Sequence, residues 1–507
     1  MMLSVKDYLQ YDGLGLAELV KSGAATADEL LRLAIQRCEQ VNPTLNAVII
    51  PMYEQAAQHL AQQANRPKSL VPQPFDGVPF LLKDLFQEYS GVATSYGSSY
   101  FKDQNYTADF NAEIVDRWLA AGLTIFGRTN TPELGIKGIT EPTAWGACHN
   151  PWDIKHNTGG SSGGAAAAVA AGIVPVAAAG DGGGSIRIPA SYCGLFGLKP
   201  SRGRTPWGPQ VSEAMHGAAI QHVLSRSVRD SAAMLDATHG SELSSLFDIP
   251  SPPSTYLQSL QQPPKRLRIA VNTQSPIGTK VSKDATAAIL HTVKLLKSLG
   301  HEVIEAAPQI DGMALANDFI VMWFAQCALT LDEIRTRLPS RKHTFELDTL
   351  AAAAFGASTK ATEYLRCLNR WGDYTRQLNE FFQRYDLYLT PATASVAPKN
   401  GEVVTPKWQQ VLLRTALKTG QAHHLVSGSL MMRQIIQSNL KWVPFTQLAN
   451  ITGVPAMSVP LYWNKHGLPL GSQFVAPFGQ EHVLLALAAQ LEQTQPWQDK
   501  YRLIKLA

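Results

Sequence analysis

Charge is scarce in this chain. Asp, Glu, Lys and Arg make up only 17% of its 507 residues and leave a net charge of +4, too weak and too diffuse for a nucleic-acid surface. Cysteine is scarce as well. Cys38, Cys148, Cys193, Cys327 and Cys367 are odd in number, scattered and without a C-x-x-C pair. They imply no disulfide framework and no metal site, and read as reduced thiols in a cytoplasmic protein. No secretory leader is expected, because Lys6, Asp7 and Asp12 interrupt any apolar region at the start. The longest uncharged stretch, Thr158 to Gly180, is rich in Gly and Ala and contains Pro175, a poor composition for a spanning helix. No membrane partner is therefore expected. The 45% of apolar residues excludes a disordered chain and allows a substantial core.

Against this background two serines stand out, each in its own nest of glycines: Gly159-Gly160-Ser161-Ser162-Gly163-Gly164 and Gly180-Asp181-Gly182-Gly183-Gly184-Ser185-Ile186-Arg187. Glycines this dense indicate main chain that takes φ > 0 or approaches a ligand closely. Consecutive glycines ahead of a serine also let several N–H groups converge on one point, as a developing oxyanion needs. A phosphate loop would want Gly-Lys-Ser/Thr, and no lysine precedes either serine. Serine needs an activating base. None of the 13 histidines lies in a G-x-S-x-G context, so nothing marks one as a triad member. Lys83 ends the apolar run Gly77-Val78-Pro79-Phe80-Leu81-Leu82-Lys83, which reads as a strand buried on both faces. Burial there pushes a lysine towards its neutral, basic form. Taken singly, each glycine cluster is equally a turn or anion nest, and Lys83 is equally a surface lysine at a strand end.

Together the three segments resemble the amidase signature family, whose fingerprint joins a G-V/I-P-x-x-x-K-D strand, a G-G-S-S-G-G loop and a G-G-S-I/V-R loop. The likeness continues in Gly127-Arg128-Thr129-Asn130-Thr131-Pro132-Glu133, in Cys193-Gly194-Leu195-Phe196-Gly197-Leu198-Lys199-Pro200, and in Gly453-Val454-Pro455-Ala456 and Gly467-Leu468-Pro469-Leu470-Gly471. The resemblance implies an α/β fold with one large mixed β-sheet covered by α-helices on both faces. It assigns Ser185 as nucleophile, Ser161 as a bridging serine after a cis peptide bond, and Lys83 as base. It also implies an oxyanion hole from the backbone N–H groups of Gly182, Gly183, Gly184 and Ser185, with Ser162, Asp181 and Arg187 in support. No cofactor is implied, and the partner is a small-molecule amide. A homodimer is left open. One departure is visible: members commonly carry Thr or Ser before the aspartate, where this chain has Gly180.

The wider pattern agrees with an α/β enzyme. Thr26 to Val41 has helical spacing with Thr26 as N-cap, and Asn46 to Ile50 reads as a strand. Asp109 to Gly122 reads as a helix and Leu123 to Gly127 as the strand after it. A buried helix from about Ser162 to Ala171 and a buried strand from Ile173 to Ala179 account for the uncharged stretch. The nucleophile loop then leaves a strand end, where open α/β sheets bind ligands. A second strand-helix-strand unit runs through Arg266 to Val271, Lys283 to Leu299 and Glu302 to Ala306, after a Pro- and Ser-rich surface connection from Ile249 to Pro264. The chain is read as one amidase domain over residues 1–507, with a signature core near 70–210 and a helical apolar insert near 310–440.

Met313 to Ile334 forms a strongly apolar helical segment, and the resemblance makes it a lining for the substrate pocket, although core packing explains its composition equally well. Within the family the likeness is to amidases of the 6-aminohexanoate-cyclic-dimer hydrolase type, through Asn46 to Pro51, Thr140 to Ala147 and Val426 to Leu430. In that subgroup a cysteine of the insert faces the substrate, and Cys327 matches it, with Trp323 one helical turn earlier. The implied substrates are small, fairly apolar linear or cyclic amides. The alternative is the glutamine-hydrolysing component of a tRNA-dependent amidotransferase. Those components usually read S-I-R-Q-P after the nucleophile, whereas this chain reads Ser185-Ile186-Arg187-Ile188-Pro189.

Overall fold

The computed structural model describes residues 3–64, 73–338, 345–405, 407–419 and 429–506. Val426, Ser427 and Gly428, together with the parts of the 70–210 core and the 310–440 insert that fall between these ranges, lie outside the described residues. The strands are β1 (Val48–Pro51), β2 (Pro79–Lys83), β3 (Thr124–Thr129), β4 (His149–Asn150), β5 (Asp153–Asn157), β6 (Val176–Asp181), β7 (Phe196–Lys199), β8 (Ile220–Ser225), β9 (Arg268–Val271), β10 (Glu302–Glu305), β11 (Leu387–Pro391), β12 (Ala456–Trp463) and β13 (Pro469–Val475). Eight of them build one mixed sheet in the order β10-β9-β11-β13-β12-β7-β8-β6. The β10, β9 and β11 strands run parallel, and the remaining neighbours pair antiparallel.

β1, β3 and β2 form a separate three-stranded sheet, whose β2 lies against β6 at the end of the large sheet. The strand that ends in Lys83 is thus outside the large sheet. It meets β6 without a hydrogen-bonded ladder. This contact brings Lys83, the last residue of β2, near Asp181, the last residue of β6.

Alternation along the central strands shows that helices cover both faces, since successive side chains of a strand point to opposite sides. On β13, Phe474 joins the core packed by the helices Lys283–Ser298 and Glu481–Thr494. Its neighbour Val475 joins the core packed by Ala361–Phe382 and Gln447–Thr452. Leu387 and Leu389 of β11 share the first core and Tyr388 the second.

The uncharged stretch resolves into the helix Gly163–Ala170 and strand β6, and every residue of that helix is buried. Its alanines are strong helix formers that give up no side-chain freedom, and their small size lets the helix pack on β1, β2, β3 and β6. The helix expected from Thr26 is Ala27–Leu45, with Thr26 Oγ1 accepting from Glu29 N at 3.1 Å. The helix expected from Asp109 starts only at Glu113, after Ala112, whose backbone is extended and whose N–H donates to Glu88 O at 2.9 Å. The connection from Ile249 to Pro264 carries a short helix, Tyr256–Ser259, whose Tyr256 is buried.

The apolar segment becomes the helix Gly312–Arg337. Asp311 caps it by accepting from Met313 N and Ala314 N, both at 3.0 Å. By length and hydropathy it could cross a membrane, yet it packs along Leu347–Ala357, Ala361–Phe382, Ser429–Leu440 and Gln447–Thr452. Its buried Asp318 is held by Arg370 Nε at 2.8 Å and by Tyr374 Oη at 2.9 Å, which fixes the helix against Ala361–Phe382. Asp318→Ala removes these charge-assisted bonds and is expected to cost about 2 kcal/mol, read from the midpoint of urea unfolding at unchanged m-value.

Candidate active site

Lys83, Ser161 and the glycine loop after β6 come together where β2 meets β6. Lys83 is 2% exposed, and its Nζ donates to Ser161 Oγ at 2.7 Å. Burial pushes its ammonium down to about 7, while the nearby Asp181 carboxylate acts in the opposite direction. Ser161 follows a cis Gly160–Ser161 peptide bond. Ser162 ties this loop to β6: its Oγ accepts from Gly180 N and donates to Gly180 O, both at 3.2 Å.

The loop from Asp181 to Arg187 is shaped by a buried ion pair. Arg187 Nε donates to Asp181 Oδ2 and Arg187 Nη2 to Asp181 Oδ1, both at 2.9 Å, with both side chains fully buried. Burial alone would raise the Asp181 pKa, but the Arg187 charge and its hydrogen bonds hold the carboxyl well below the usual carboxylate range. Asp181 also accepts from Gly184 N at 2.7 Å and Ile186 N at 3.2 Å. On the other side of the loop, Thr446 Oγ1 and Gln447 Nε2 donate to Gly183 O.

The four N–H groups expected in the oxyanion hole are not placed alike. The Gly184 N–H is committed to Asp181. Among the described residues, the N–H groups of Gly182, Gly183 and Ser185 take no part in the bonds that hold the loop. Gly184 has φ +122°, and a Cβ there would lie 2.5 Å from Thr446 Oγ1. A Cβ on Gly183 would lie 2.6 Å from the Phe319 ring. The glycines are required by a close approach on both sides.

Ser185 and Gly183 open onto a cavity of ≈ 730 Å³. Phe319, Ile320, Trp323 and Phe324 of the helix Gly312–Arg337 form one wall, Ala351, Ala352 and Phe355 another, and Ile188, Val443 and Trp442 a third. Trp323 is thus among the residues that line the cavity. Cys327 is not among the lining residues: it is buried one turn further on, where its Sγ donates to Thr349 O at 3.6 Å. The helix Leu347–Ala357 closes over it, approaching so tightly that a Cβ on Gly356 would overlap Phe324 O. Burial and the nearby Glu133 carboxylate push the Cys327 thiol up to about 12, so it stays protonated. Among the described residues, no group of three His, Cys, Asp or Glu side chains is placed to hold a metal ion.

The chain matches the Amidase family over residues 29–485. It is 36% identical over 497 residues to the 6-aminohexanoate-cyclic-dimer hydrolase of Pseudomonas sp. (strain NK87), an alignment that covers 96% of each chain. The chain belongs to the amidase family. A solved structure of 6-aminohexanoate cyclic dimer hydrolase complexed with substrate superposes on this amidase with a TM-score of 0.86 and 34% identity, covering 98% of this chain and 100% of that one. A bacterial aryl acylamidase of the amidase signature family shares 24% identity with a TM-score of 0.81, over 99% of this chain and 98% of that one, a likeness of fold alone. The same holds for a component of the glutamyl-tRNA(Gln) amidotransferase of Thermotoga maritima, at 22% identity and a TM-score of 0.73 over 100% of this chain and 98% of that one. The α/β fold and the amide-hydrolysing class both follow from membership.

Sequence reasoning missed the residues that brace the loop from the C-terminal side. Asn450 Nδ2 donates to Asp181 Oδ1 at 2.9 Å, and Arg187 Nη1 donates to Gln473 Oε1 at 2.8 Å and to Thr446 O at 2.9 Å. Lone Thr, Asn and Gln residues that lie 259, 263 and 286 positions from Arg187 carry no local signature. Arg187→Met leaves Asp181 as an uncompensated buried charge and is expected to destabilise the amidase by about 3–5 kcal/mol. Chemical denaturation measures the loss, and Asp181→Asn added to Arg187→Met restores part of it.

Proposed function

We propose that this amidase hydrolyses the carbon–nitrogen bond of small, fairly apolar amides, linear or cyclic, through a covalent acyl-enzyme on Ser185. One observation carries the reading: a desolvated lysine, lowered to about 7, stands 2.7 Å from the Ser161 hydroxyl, and Ser185, in the glycine loop that follows β6, opens onto a largely apolar cavity. In its neutral form Lys83 takes the proton of Ser161 Oγ, and Ser161 takes that of Ser185. The freed Ser185 Oγ then attacks the amide carbonyl carbon. Negative charge collects on the carbonyl oxygen opposite the N–H groups of Gly182, Gly183 and Ser185. Each such donor is worth about 2.7–4 kcal/mol at the transition state. As the tetrahedral species collapses, the carbon–nitrogen bond breaks and the leaving nitrogen takes the proton back along the same relay. Water, deprotonated by the relay in turn, attacks the ester and releases the acid, restoring Ser185.

Asp181 and Arg187 act in this scheme by holding the loop, and Ser162 by holding Ser161 to β6. The relation to the cyclic-dimer hydrolases supports cyclic amides as substrates, and the largely apolar walls of the cavity support substrates without charge near the reacting bond. The amidotransferase reading is weaker here. Ile188 lines the cavity, and its apolar side chain offers nothing to a glutamine amide.

Ser185→Ala is expected to bring amide turnover to background while the fold, followed by circular dichroism, stays intact. A fluorophosphonate probe should label the wild type and spare that variant; equal labelling of both would remove Ser185 from its role. The pH dependence follows from Lys83. Below about 7 its lone pair carries a proton and cannot accept one from Ser161, so kcat/KM should fall by about tenfold per pH unit on the acid side and level off above. Lys83→Met should lose both the activity and this limb, and a flat profile from about pH 5 to 9 in the wild type would place the base elsewhere.

A further inference from the structure

The cavity wall is continuous with an apolar stretch of the protein's surface. The helix Lys407–Lys418 exposes Trp408 (64%), Val411 (63%) and Leu412 (52%), with Val404 (53%) just before it. Several large apolar side chains left in water side by side mark a binding surface. Three of them do more than sit on the surface. Trp408 and Leu412 of the helix, with Val404 before it, also line the cavity onto which Ser185 opens, whereas Val411 does not. The charged groups Lys137 and Asp348 of the same lining are matched: Lys137 Nζ pairs with Glu346 Oε2 at 2.9 Å and Asp348 Oδ2 at 2.8 Å, and Asp348 Oδ1 accepts from Thr405 Oγ1 at 2.8 Å. A ligand passing Trp408 and Leu412 is offered apolar contact.

We propose that Trp408 and Leu412 form an apolar lip that receives the far end of an elongated amide while its carbonyl lies at Ser185, so that these two residues set the preference for chain length. The occupant follows from continuity, because Ser185, Phe319 and Trp323 line one cavity with the same two side chains that meet solvent. The inference rests on the hydrolase reading above and deepens it. It names the substrate class as amides with an apolar tail of several carbons, on either the acyl or the amine side.

Two substrate series test it: straight-chain acyl p-nitroanilides from acetyl to decanoyl, and N-alkyl acetamides from methyl to octyl. In the wild type, kcat/KM is expected to rise along one series by up to about fourfold per methylene that reaches the lip, the equivalent of about 0.8 kcal/mol per buried methylene. The series that rises identifies the side of the amide carrying the tail. In the double variant Trp408→Ser, Leu412→Ser the ratio of kcat/KM for the longest over the shortest substrate of that series should fall by about tenfold or more. Val411→Ser polarises the same helix off the cavity and should leave this ratio at its wild-type value. The proposal is overturned if both series are flat in the wild type, if the double variant keeps the wild-type ratio, or if Val411→Ser lowers it equally. It is also overturned if sedimentation shows that the double variant changes the assembly state with the ratio intact, since a second copy then covers the lip. Turnover of the acetyl anilide that depends on Ser185 stands or fails separately, so loss of the lip and loss of the hydrolase reading are told apart.

Discussion

The bidentate pair of Asp181 with Arg187 is the constraint on which the rest of this site depends. Two fully buried charges cost several kcal/mol each to remove from water, and only good geometry with further hydrogen bonds offsets that. Here the offset comes from the loop itself. Gly184 N and Ile186 N donate to Asp181, and Asn450, Gln473 and Thr446 O complete the shell. The groups that neutralise the charge are the same groups that set the path of the chain, so electrostatics and loop shape are one problem with one solution. The carbonyl of Gly183 turns towards Thr446 and the N–H of Gly184 towards Asp181, which fixes the plane of that peptide. The N–H groups of Gly183 and Ser185 on either side, which take no part in these bonds among the described residues, are oriented as a consequence.

The same carboxylate reaches Lys83. Burial takes the lysine down, and the Asp181 charge limits how far, leaving it at about 7. A lysine in an apolar pocket without that neighbour would fall lower and be a weaker base; one on the surface would stay charged. The position of β2 against β6, outside the backbone ladder, sets this distance. Chemistry at the site is thus tuned by the packing of a small sheet on the end of a large one.

Around this rigid centre the cavity is built from helices of quite different character. The side carrying Ser161 and Ser185 is backed by an alanine helix with no volume to spare, and its glycines touch Phe319 and Thr446 closely. The opposite walls, from Gly312–Arg337, Leu347–Ala357 and Lys407–Lys418, present large apolar side chains to the space between. The serine loops and the walls that face them therefore come from separate parts of the chain.

The sequence alone carried what depends on local pattern: the glycine clusters, the strand ending in Lys83, the alanine helix before β6, the apolar helix near residue 320, and through them the family and its fold class. Spacing and composition could say this because each is a property of neighbours in the chain. They could not say that Gly184 gives its N–H to Asp181, since every glycine of the loop looks alike until an acceptor is placed beside it. Nor could they say that Cys327 turns from the cavity while Trp323 faces it; one helical turn separates the two residues, and only the closeness of Leu347–Ala357 distinguishes them. Thr446, Asn450 and Gln473 lay beyond reach for the same reason. Hydrogen bonds and burial act between groups adjacent in space, and the tertiary structure alone decides which distant parts of the chain become adjacent.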